Sequence, residues 1–151
     1  MTHKVSDIYL DTSVVFAAVL SPLGGSLKVF QLSEVGAVRI VLGPQLLKEA
    51  ENVVRRKMLS SLPDLARLLS GARVQVRESV GMEHLEQARQ LVSYQPDARV
   101  LAEAMAILPD WFITHDKVHF LRDDHLKINL PFQMGTPGDL LQELKRTLFI
   151  G

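Results

Sequence analysis

A chain of 151 residues, 47% hydrophobic and 23% charged, has enough material for one domain with a full core. Its 17 basic and 17 acidic residues cancel, so no global field draws it to nucleic acid or to an anionic membrane. The absence of cysteine excludes disulfide frameworks, thiolate metal sites and cysteine nucleophiles, and agrees with a reducing cytoplasm.

No basic segment followed by an apolar one opens the chain, so no secretory signal is expected. The apolar runs fall short of the roughly twenty residues that a membrane span requires. The expected location is therefore cytoplasmic, with no membrane partner.

Ile8-Tyr9-Leu10 reads as a fully buried strand, continuous rather than alternating. Val14 to Leu20 follows as a helix, stopped by Ser21 to Gly25. A second short helix is expected over Ser26 to Glu34, with Leu27, Phe30 and Leu32 inward. "VRIVL", Val38 to Leu42, is the second strand, bounded by Gly36 and by Gly43-Pro44.

Pro44 opens a helix at the favoured first-turn position. Leu46, Leu47, Ala50, Val53 and Val54 follow helical spacing, and Arg55-Arg56-Lys57 closes it where cations suit the dipole. "SSLPDLARLLSG" continues as a helix, and "RVQVR", Arg73 to Arg77, alternates like an edge strand with one wet face. Met82 to Val92 and Asp97 to Leu108 are expected helices, separated by a turn at Pro96. "WFIT", Trp111 to Thr114, is a further buried strand, and Lys127 to Leu130 is read as a last short one. The final helix opens at Thr136-Pro137-Gly138, with Leu140, Leu141, Leu144 and Leu148 on one face. Strands alternating with helices predict an α/β fold, a three-layer α/β/α sandwich with a central, mostly parallel sheet, as one domain over residues 1–151.

In such sheets ligands bind beyond the carboxyl ends of the strands. Asp11 follows the first strand directly, and Asp116 follows "WFIT" with only His115 between. Asp97 lies in line with Leu101, Ala104 and Leu108, so it leads a buried stripe, unless it serves as the helix cap after Pro96. Arg99 and Glu103, spaced i to i+4, are expected to pair on the wet side of that helix. On the helix from Pro44, Glu49 and Glu51 flank the apolar stripe on opposite sides, and periodicity does not choose between them.

Gathered carboxylates repel and raise one another's pKa values. A divalent cation reverses this, and hard oxygen donors suit Mg²⁺ or Mn²⁺. Such a site can polarise a phosphodiester and lower the pKa of a bound water. It needs neither cysteine nor histidine.

"LDTS" after the first strand, "LLKEAENVVRRK", "PDARVLAEAM", "FITHDK" and the closing "TPGDLLQEL" resemble the PIN-domain nucleases, and most of all the group assigned as toxin components of toxin–antitoxin pairs. The resemblance runs over nearly the whole chain. It implies a PIN-like fold and a Mg²⁺- or Mn²⁺-dependent endoribonuclease acting on single-stranded or structured RNA. Its four acids fall on Asp11, Glu49, Asp97 and Asp116, which selects Glu49 over Glu51. Ser13 and Thr114 match hydroxyl positions that support the acids or the metal shell. It also implies a small antitoxin as partner and is compatible with a homodimer. His115 departs from the pattern, standing where the family often has a small residue, and is expected to crowd the site or to stack on a base.

Lys117, Arg55 and Arg56 are candidate RNA contacts, with an exposed loop lysine and a favourable helix C-terminus as the plainer readings. His115, His119 and His125 lack the HExxH framework of a zinc site. Asp123-Asp124 reads as a solvated turn, and Thr12-Ser13 lacks the glycines of a serine-hydrolase elbow. The alternative to an enzyme is a PIN-fold binding module for RNA or protein with little or no cleavage activity.

Overall fold

Five parallel strands in the order β3-β2-β1-β4-β5 form the sheet, in a computed structural model that describes residues 4–78 and 83–150. The strands are β1 (Ser6–Leu10), β2 (Val38–Leu42), β3 (Gln75–Val76), β4 (Trp111–Ile113) and β5 (Gln133–Gly135). Helices α1 (Thr12–Leu20), α2 (Gly25–Glu34), α3 (Pro44–Lys57), α4 (Leu62–Gly71), α5 (Glu83–Leu91), α6 (Gln95–Ile107), α7 (Asp124–Asn129) and α8 (Pro137–Ile150) alternate with them. The α/β architecture with a parallel central sheet is as expected, and every strand pair is parallel.

β1 lies between β2 and β4, with Ile8 opposite both Ile40 and Trp111. The chain thus leaves β1 in one direction for β2 and β3, and fills the other side only later with β4 and β5. The reversal of strand order falls between β1 and β4, and a crevice opens at such a switch point beyond the carboxyl ends. Ile8, Tyr9, Leu10, Ile40, Phe112 and Ile113 are wholly buried here, and Tyr9 stacks on Phe112 at 5.6 Å between ring centroids. Both faces are covered, which is why these strands read as unbroken apolar runs.

Several local expectations change. Lys127 to Leu130 is not a strand, because Asp123 caps a helix there by accepting the Leu126 N–H at 3.0 Å. The last strand is instead Gln133–Gly135, recruited by pairing with β4. The "RVQVR" edge strand shrinks to Gln75 and Val76, both exposed, so it has no dry face. On α2, Val29, Phe30, Ser26 and Ser33 turn inward, while Leu27 and Leu32 are only half-buried. α6 ends at Ile107, and Leu108 takes a left-handed cap with φ 55°, exposed rather than in the buried stripe. Met82, the expected start of α5, and the side chain of Leu148 lie outside the described residues.

Candidate active site

Asp11 stands at the N-cap position of α1, yet its side chain makes no capping bond. The carboxylate is instead held by two hydroxyls on the same oxygen: Thr114 donates to Oδ2 at 2.8 Å and Ser13 at 3.0 Å. Each hydroxyl also pins the loop after β4. Thr114 Oγ1 accepts the Asp116 N–H at 3.0 Å, and Ser13 Oγ accepts the His115 N–H at 3.1 Å. The Asp11 N–H donates to the Ile113 carbonyl at 2.9 Å, continuing the ladder by one step beyond the strand. The two loops at the switch point are therefore tied together through the candidate acid itself.

Asp97 is not a cap. Tyr94 occupies that position, Gln95 and Pro96 follow, and Asp97 lies inside the first turn of α6, where the positive end of the helix favours a carboxylate. Its side chain is 13% exposed. Burial and the charge of Asp11 push its carboxyl up to about 6, against the lowering pull of His119. Its Oδ2 is buried and meets no hydrogen-bond donor. The carboxyl of Asp11 is raised as well, chiefly by burial, with the hydroxyls of Thr114 and Ser13 opposing.

Glu49 and Glu51 separate cleanly. Glu51 faces water and pairs with Arg55 at 2.6 Å. Glu49 is half-buried, and burial followed by the charges of Asp11 and Asp97 pushes its carboxyl up to about 7. Asp11, Glu49 and Asp97 are thus all raised chiefly by burial, and the charge of Asp11 adds to the rise at both Glu49 and Asp97. Asp116 joins them after β4, near enough for its charge to act on both Asp11 and Asp97.

His119, considered above only beside His115 and His125, belongs to this cluster. Its Nδ1 lies 2.8 Å from Asp116 Oδ2 and 3.7 Å from Asp97 Oδ2, and its N–H donates to Asp116 Oδ1 at 2.9 Å. Ligand atoms of Asp97, Asp116 and His119 all lie within 4.8 Å of one another. A donorless buried carboxylate oxygen beside a second carboxylate and an imidazole is a set that a divalent cation would complete. The other two histidines point elsewhere: His115 Nε2 is 2.8 Å from Ser26 Oγ, and His125 is engaged with Asn129. The three histidines do not converge.

Glu103 corrects the expectation of a wet Arg99 pair. It is 0% exposed, and its carboxylate accepts from the Tyr9 hydroxyl at 2.8 Å, the Gln45 N–H at 2.7 Å and the Leu46 N–H at 3.0 Å. The N-cap of α3 is Gly43, which has no side chain to satisfy the first amides of that helix. Glu103 reaches across from α6 to do so. Burial and Glu103 together hold the Tyr9 hydroxyl far above its usual range. One carboxylate thus joins β1, α3 and α6, the elements that carry or precede Asp11, Glu49 and Asp97.

Arg55 and Arg56 line an open groove beside Glu49, whereas Lys117 is exposed outside that lining. Asp123 is a helix cap rather than a free turn acid.

Three solved structures share this fold. VapBC2 from Rickettsia felis, crystallised with a DNA fragment from its promoter, matches with a TM-score of 0.66 at 14% identity, over 86% of this chain and 98% of that one. DNA-bound VapBC from Salmonella typhimurium matches at 0.65 and 14%, over 88% and 99%. VapC20 of Mycobacterium tuberculosis, a Sarcin-Ricin loop cleaving toxin, matches at 0.53 and 17%, over 74% and 91%. No curated protein matches the chain by sequence. The family profile described as the PIN domain matches residues 7–118, from within β1 to just beyond Asp116. With most of its length in that match, the chain belongs to the PIN domain family.

Proposed function

We propose that this protein is a metal-dependent endoribonuclease, the toxin of a toxin–antitoxin pair, acting as one domain over residues 1–151. Asp11, Glu49, Asp97 and Asp116 are its catalytic acids and hold Mg²⁺ or Mn²⁺, with Ser13 and Thr114 in support. The observation that carries this reading is the buried, donorless Asp97 Oδ2 beside Asp116 and His119. When bound, the cation neutralises the cluster, polarises a phosphodiester and makes a bound water a stronger nucleophile.

The chain's own groups supply the rest. Thr114 and Ser13 occupy Asp11 Oδ2 and keep both hydroxyl donors off Oδ1. His119 orients the Asp116 carboxylate through two contacts to one side chain. Glu49, whose carboxyl burial and the charges of Asp11 and Asp97 push up in the metal-free protein, faces the same acids from α3 and completes the set that would hold the cation. In this reading Arg55 and Arg56, which line the groove beside Glu49, and the exposed Lys117 contact backbone phosphates.

The shared fold with VapBC complexes supports a small antitoxin as partner, and that with VapC20 supports an RNA substrate. A homodimer belongs to the same reading, as does a cytoplasmic location. No single described helix is long and apolar enough to cross a membrane.

The test is cleavage of single-stranded and hairpin RNA with Mg²⁺ or Mn²⁺ and with chelator. Cutting is expected only with metal, and Asp97→Asn or Asp11→Asn should abolish it while circular dichroism stays native. Metal-independent cutting, or full activity in both variants, overturns the site. RNA that is bound but never cut favours the binding-module alternative.

A further inference from the structure

Beside the acids lies an open groove of about 790 Å³, walled by α3 and by the start of α6. Among its lining residues Glu49 is the only acid, while Lys48, Arg55, Arg56 and Arg99 bring four cations. In a chain whose charges cancel overall, this is a local concentration suited to a polyanion. Arg55 is partly spent on Glu51. Lys48, Arg56 and Arg99 are exposed and form no ion pair among the described residues.

The same groove contains a largely exposed aromatic ring. Tyr94 is 56% exposed at the cap of α6, three positions before Asp97. Its ring stacks on His119 with centroids 6.0 Å apart and planes 23° from parallel. His119 in turn touches Asp116. The aromatic pair therefore links the cationic groove to the acids.

We propose that Tyr94, backed by His119, is a base-stacking platform for single-stranded RNA, seating a nucleotide next to the scissile phosphate while Lys48, Arg56 and Arg99 hold neighbouring phosphates. The placement of that nucleotide relative to the cut rests on the nuclease reading; the binding itself does not. A single strand is the occupant because only unstacked bases expose a π-face, whereas an A-form duplex offers phosphates and 2′-hydroxyls. An acidic protein segment would satisfy the cations and leave Tyr94 without a role.

The test is fluorescence anisotropy of a labelled single-stranded RNA in chelator, so that no cutting intervenes. Tyr94→Ala should weaken binding about tenfold, Tyr94→Phe should bind like the native protein, and Tyr94→Leu should behave like alanine. An abasic strand of equal length should bind the native protein as weakly as intact RNA binds Tyr94→Ala. Arg56→Ala and Arg99→Ala should each reduce the slope of log affinity against log salt by about 0.7. Native affinity in Tyr94→Leu overturns the platform, as does equal affinity for duplex RNA. Polyglutamate of matched charge binding as tightly as RNA would overturn it in favour of an acidic protein ligand. Tyr94-dependent binding by a protein that cuts no RNA supports the platform and overturns the nuclease reading. Cleavage with an unchanged KM in Tyr94→Ala does the reverse.

Discussion

Asp11 is a charge inside a frame of wholly buried residues, with Ile8, Tyr9 and Leu10 before it and Val14 and Val15 after. Each fully buried aliphatic side chain contributes roughly 1.5–3 kcal/mol, and desolvating a carboxylate costs several kcal/mol. The frame outweighs the acid only if the acid keeps its donors. Thr114 supplies one and simultaneously accepts from Asp116, so Thr114→Val, close in shape, removes both links at once. Urea denaturation should show a loss of about 1–3 kcal/mol, and RNA cleavage should fall with it. Ser13→Ala, at a less buried hydroxyl, should cost less on both counts. A Thr114→Val protein with native stability and native cleavage would sink this account of how Asp11 is held. The sequence pointed to Asp11 and Asp116 because the first directly follows a buried strand and the second follows "WFIT" with only His115 between, which is a local signal. It did not point to His119, whose link to Asp97 spans two separate elements and leaves no periodic trace.

At the scale of elements, local signals again explain what was legible. β1, β2 and β4 are covered on both faces and announce themselves as apolar runs. β5 is three residues, "QMG", and exists because β4 offers it a ladder rather than because its own side chains demand one. α7 rests on the Asp123 cap, a contact that looks the same as a solvated turn until the backbone is seen. Glu103 misled for a related reason: Arg99 sits one turn away in sequence, while the amides that capture Glu103 belong to a helix 57 and 58 residues distant. Gly43 is the other half of that joint. Its φ of −130° is open to any residue, yet a Cβ there would run into the Glu103 carboxylate. Glu103→Ala should therefore cost on the order of 3 kcal/mol, because the buried Tyr9 hydroxyl and Leu46 N–H and the part-buried Gln45 N–H lose their acceptor. Gly43→Ala should also destabilise the native protein. In the Glu103→Ala background the same Gly43→Ala change should cost nearly nothing, since the clash has gone. Thermal or urea melts of the four proteins complete the cycle, and simple additivity would show that the two residues do not form one joint.

Over the whole molecule, a zero net charge conceals two opposed local fields, an acidic cluster at the switch point and a cationic groove beside it. The acidic half makes the metal-free protein sensitive to pH. Glu49 at about 7 and Asp97 at about 6 bind protons in the folded state that an unfolded chain, with carboxyls near 4.5 and 3.8, has already released. Between those limits the folded state holds more protons, so the contribution of these groups to stability falls as pH rises through the window from about 4 to 7. Asp97→Asn removes one of the crowded charges. In chelator it should melt above the native protein at pH 8, and that advantage should shrink or vanish near pH 5. Mg²⁺ or Mn²⁺ binds the deprotonated cluster, so it should raise the melting temperature of the native protein far more at pH 8 than at pH 5, and do little for Asp97→Asn. Differential scanning fluorimetry across that range reads all three effects. A native protein that melts above Asp97→Asn in chelator at pH 8 would mean that the acids are already compensated within the fold. The case for a cation there would then be lost.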